Sequence, residues 1–100
     1  MNTKEFLRGI LKENKPQVIE MKNGEVMAVS VTEDNVADFI SELSGVEKLL
    51  LKTRINRHQI SARYDAEHLE GRGKEEIQKR ILISEFWNKL ANIAAPCFKK

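Results

Sequence analysis

Residues 48–64, KLLLKTRINRHQISARY, decide the fold. Read at a period of two, they predict two strands, 48–55 and 58–64, joined by a tight turn at Asn56-Arg57. That register sets Leu49, Leu51, Thr53 and Ile55 on the same face as His58, Ile60, Ala62 and Tyr64. The opposite face receives Leu50, Lys52 and Arg54 beside Gln59, Ser61 and Arg63. One face is mostly apolar and the other polar and basic, the pattern of a half-buried antiparallel sheet.

Upstream, Asn23-Gly24 is the strongest local signal in the chain, a two-residue hairpin turn. It joins a predicted strand at 17–22 (QVIEMK) to one at 25–31 (EVMAVSV). Both faces of this hairpin are largely apolar, so both are expected to be covered. Thr32 suits a helix N-cap, and Glu33 and Asp34 suit the positive end of a helix dipole. Val36, Phe39, Ile40 and Leu43 then follow at helical spacing. Gly45 is expected to end that helix in the left-handed conformation. Before the hairpin, Phe6, Leu7, Ile10 and Leu11 share one face of a helix over 3–14, capped by Asn2 or Thr3. Gly9 weakens that helix by about 1 kcal/mol relative to alanine, and Pro16 ends it.

Downstream, Gly71 and Gly73 interrupt the chain before a long helix over 74–93. Ile77, Ile81 and Leu82 are expected to face the core, and Ile83, Phe86, Trp87, Leu90, Ala91 and Ile93 surround much of its circumference. An arc that wide touches more than one neighbour. Residues 94–100 read as a tail, with Pro96 ending the helix. The whole is expected to be a single domain, with an N-terminal helix in 1–16, a core in 17–93 and the tail.

The order strand–helix–strand–strand–helix from residue 25 is the ferredoxin-like arrangement. Three short features within it resemble the heavy-metal-associated domain family. They are Ser44-Gly45-Val46 after the first helix, Arg63-Tyr64-Asp65 at the end of the third strand, and Leu69 with Glu75-Glu76-Ile77 opening the last helix. The resemblance spans about residues 25–85. It implies an α+β fold with two helices on one face of an antiparallel four-stranded sheet, ordered 17–22, 25–31, 58–65, 48–55, plus the N-terminal helix. The family's metal site, a Cys-x-x-Cys before the first helix, is replaced by Thr32, Glu33, Asp34 and Asn35. Without two thiolates a soft-metal clamp is not expected, so neither a metal site nor a cofactor is assigned.

Composition bounds the rest. Charged residues are 32% and hydrophobic residues 41% of the 100, as in an ordinary globular domain. No apolar run is long enough to cross a bilayer and the N-terminus lacks a signal-peptide core, so a cytoplasmic protein without membrane contact is expected. The one cysteine, Cys97, excludes an internal disulfide. A net charge of +2 is weaker than the basic stripe of a typical nucleic-acid binder.

Most candidate chemistry has a plain structural reading. Glu33 and Asp34 are helix-capping acids before they are cation ligands. His58 and His68 lie on different elements with no converging ligand set, and Glu67, Glu70, Glu75 and Glu76 read as a solvated acidic stretch. Gly71-Arg72-Gly73 is too short for a phosphate loop. No catalytic residue is assigned and the protein is not expected to be an enzyme.

Two groups carry functional expectations. Phe86, Trp87 and Leu90 are more apolar than one sheet easily hides. Core packing against the N-terminal helix accounts for them, and a protein-interaction surface, with a second copy as partner, is the sharper reading. Lys52, Arg54, Arg57 and Arg63 form a basic group, three on one sheet face and Arg57 at the turn. They make nucleic-acid or anionic-ligand binding the alternative, although stacking aromatics are missing from that face.

Overall fold

The computed structural model describes residues 2–99; Met1 and Lys100, the outer ends of the expected N-terminal segment and tail, lie outside the described residues. The chain is a helical bundle carrying one small hairpin. Its elements are α1 (Thr3–Glu13), β1 (Ile19–Lys22), β2 (Glu25–Ala28), α2 (Glu33–Ser41), α3 (Gly45–Glu67) and α4 (Lys74–Ala94), closed by a 3-10 turn over Ala95–Lys99.

Local chemistry sets the first elements as the sequence predicts. The Asn2 side chain accepts a hydrogen bond from the Glu5 amide to start α1, and Asn14 ends it in the left-handed conformation at φ 54°. Asn23 and Gly24 also hold positive φ, 53° and 79°, the double requirement of the type I′ turn. The hairpin register pairs Ile19 with Ala28 and Met21 with Val26. Val36, Phe39 and Ile40 of α2 are buried.

Among the described residues the expected four-stranded ferredoxin-like sheet does not form: the sheet has two strands, β1 and β2. Residues 48–64, read as two strands, lie inside the 23-residue helix α3. Gly45 does not end a helix but opens this one. Ser44 is its N-cap, accepting from the Glu47 amide, while the Glu47 carboxylate accepts from the Ser44 amide. This reciprocal capping box satisfies two backbone donors at once. Between Val46 and Glu70 the chain has neither glycine nor proline, so nothing breaks the helix once it has started. Ser44-Gly45-Val46 and Arg63-Tyr64-Asp65, two of the three features that carry the family resemblance, thus belong to the start and interior of one helix, while Glu75-Glu76-Ile77, in the third, does open α4.

The core joins all four helices. Leu51, Ile55 and Ala62 of α3 face inward, and Phe86, Trp87, Leu90 and Ala94 supply α4. Phe6 of α1 packs edge-on to Phe86 at 5.0 Å and tilted to Trp87 at 5.9 Å between ring centres. In the first half of α4, Ile81 is exposed and Ile77 and Leu82 are half-buried, against the expectation that all three face the core. The hairpin is also less covered than expected. Val18 and Val29 at its base are buried, but Met21 and Met27 are exposed, because only β2 packs closely, against α4. Phe98, in the 3-10 turn, folds back against the core.

Candidate interaction surface

Phe86, Trp87 and Leu90, expected as a contact surface, are 5%, 2% and 0% exposed. They form the centre of the monomer and present nothing to a partner. The apolar excess read in the sequence is absorbed by α1, whose Phe6 no sheet competes for.

The basic group is also redistributed. With no sheet to hold them on one face, the four residues spread around α3. Arg54 turns inward, and its guanidinium donates to the carbonyls of Ile10, at 2.7 Å, and Leu11, at 2.5 Å. It thereby satisfies the last turn of α1, where carbonyls lack partners and a cation meets the negative end of the dipole. Lys52, Arg57 and Arg63 are exposed. At 100° per residue, Lys52 and Arg63 lie on one side of the outer face and Arg57 on the other. The four residues do not converge on one site.

Beside Arg54, His58 sits one turn on. Its Nε2 lies 3.1 Å from Asn14 Oδ1, and its ring stacks on Trp87 at 4.7 Å and 14°. Burial pushes its pKa below the ordinary 6.5; the hydrogen bond to Asn14 opposes this and the charge of Arg54 adds to it. His58 is therefore a wedge between α1, α3 and α4 and not the first residue of a strand. His68 stacks on Tyr64 at 3.9 Å. There Arg80 of α4 donates to the carbonyls of Asp65 and His68, closing the end of α3 as Arg54 closes α1. Among the described residues no three His, Cys, Asp or Glu side chains come together as a metal site. Nor is any helix long and apolar enough to cross a membrane.

What the structure does expose is the outer face of α3. Val46 is 79% exposed, Leu49 66%, Ile60 69%, Tyr64 60% and Leu50 38%. These residues belong to a helix whose opposite side already fills the core through Leu51, Ile55 and Ala62. Helix α3 is therefore apolar on two sides, with one left uncovered. The five exposed side chains form two clusters, Val46 with Leu49 and Leu50 near the start of the helix and Ile60 with Tyr64 about 15 Å further along, with exposed Thr53 and Arg57 between them. The strand reading hid this face by placing Leu49, Ile60 and Tyr64 with Leu51, Ile55 and Ala62 on one buried side. Helical spacing separates the two sets.

Comparison with known proteins finds no protein-family model, no curated protein and no solved structure that matches this chain.

Proposed function

We propose that this chain is a small, non-enzymatic protein-interaction module that associates with a second copy of itself through the outer face of α3. The observation that carries this reading is the set of exposed large apolar side chains on that face: Val46, Leu49, Leu50, Ile60 and Tyr64. Leaving them in water forgoes about 25 cal/mol for each Å² that a partner could cover. With the apolar clusters divided by Thr53 and Arg57, the contact falls at the small end of specific interfaces, about 1,200 Å² or less over both chains. The reading therefore describes a weak, concentration-dependent dimer. It places the protein in the cytoplasm, where Cys97 stays reduced.

Light scattering over a range of protein concentrations tests the proposal. The mass should rise toward that of a dimer and change little with salt, because the contact is apolar. Ile60→Asp, at an exposed position, should hold the chain monomeric with its circular dichroism unchanged. A native chain that stays monomeric at the highest concentration overturns the reading. So does an Ile60→Asp chain that associates as the native one does.

A further inference from the structure

The outer face of α3 has an internal order. Val46, Leu50, Thr53, Arg57, Ile60 and Tyr64 recur at alternating steps of four and three, the spacing of a helix seam that packs against another helix. Along this seam two apolar residues are followed by two polar ones and then by two apolar ones. The pattern is symmetric about its middle. A surface that reads the same from either end is complementary to itself under a two-fold rotation, the commonest symmetry of protein dimers.

We propose that two copies pair α3 against α3 in antiparallel orientation, in the register that sets Val46 opposite Tyr64, Leu50 opposite Ile60 and Thr53 opposite Arg57. This rests on the self-association reading above and specifies its geometry. The polar centre selects the register. Sliding one helix by a heptad in one direction sets Arg57 against Ile60 of the partner copy, and in the other direction against Val46. Either shift buries a guanidinium against an aliphatic side chain without a partner, which costs more than the apolar contact returns. Parallel pairing places Arg57 in the same layer as its own copy, two like charges brought together out of water. Only the antiparallel, centred register pairs Thr53 with Arg57, in two layers related by the two-fold axis, while setting each of the four apolar seam residues against another. Polar residues placed in an apolar seam are a recognised means of fixing register at some cost in affinity.

Cross-linking in the full chain tests the register, with Cys97→Ser removing the native thiol. One preparation carries Leu50→Cys and another Ile60→Cys. In the proposed pair, each introduced thiol lies about 15 Å along the helix from its own copy, the rise of ten residues, but directly opposite the other variant's. A bifunctional thiol reagent shorter than that distance should double the mass of the chain in a mixture of the two preparations. It should leave each preparation alone uncross-linked. Val46→Cys with Tyr64→Cys repeats the test at the ends of the seam and stands in if the central substitutions dissolve the pair. Self-cross-linking of the Leu50→Cys preparation alone overturns the proposal in favour of parallel pairing. A chain that is dimeric by light scattering, yet gives no cross-link in either mixture, overturns the register and leaves the interaction reading standing. A native chain that is monomeric throughout overturns both.

Discussion

Arg54 and His58 stand one turn apart on α3 and both reach the end of α1, one through the carbonyls of Ile10 and Leu11 and the other through Asn14. The sequence marks Arg54 as one of a basic binding group and gives His58 no ligand set; in the structure both hold the fold together. Their roles were not legible because each depends on a partner more than 40 residues earlier in the chain, and residue type alone does not disclose such a pairing. The histidine carries a consequence for pH. Its folded pKa lies below 6.5 because burial disfavours the imidazolium. As pH falls through 6.5 the unfolded chain takes up a proton that the folded chain refuses, so stability is lost until the folded pKa is reached. Urea midpoints should therefore fall between pH 7 and pH 5. The part of that slope belonging to His58 should disappear in His58→Gln, whose amide cannot be charged. An unchanged slope in the variant would remove His58 from the account.

At the scale of elements, α1, the hairpin, α2 and α4 were legible for physical reasons that act locally. Asn2 caps, Asn23-Gly24 turns, and Val36, Phe39 and Ile40 repeat at the helical period. Helix α3 was not legible by periodicity. With Leu51, Ile55 and Ala62 on one side and Leu49, Ile60 and Tyr64 on the other, its apolar residues no longer mark a single helical face, and they fall by coincidence on alternate positions. The signal that does identify it is Ser44-x-x-Glu47, followed by 23 further residues without glycine or proline. The exposed apolar face was lost with the helix, since a strand puts its two apolar sets on the same side. The start of α3 makes a sharp prediction. Gly45 occupies the first helical turn with negative φ, and a methyl group added there meets nothing within 4 Å. Gly45→Ala should raise stability by about 0.4–1 kcal/mol in urea denaturation, chiefly by restricting the unfolded chain. Had glycine been needed there to end α2 in the left-handed conformation, the same change would destabilise.

For the molecule as a whole, Trp87 is the common neighbour of α1 and α3, in contact with Phe6, His58 and Phe86. Removing so large a buried side chain costs about 3–5 kcal/mol, a large share of the roughly 5–15 kcal/mol that holds a domain of this size folded. Trp87→Ala should therefore abolish or strongly depress the cooperative thermal transition seen by circular dichroism. A variant that melts as the native chain does but fails to associate would return Trp87 to the surface role the sequence suggested.

The clamp on α1 also bears on how the chain reaches this state. Helices α3 and α4 are joined by a six-residue connection and pack on each other, so their contacts close early and at small entropic cost. An 11-residue helix is too short to persist by itself, and the groups that finish α1 arrive only with Arg54 and His58. Completion of α1 therefore depends on α3 being in place, and Phe6, Leu7 and Ile10, all buried, tie it to the core that α3 and α4 share, so its release would open that core to water.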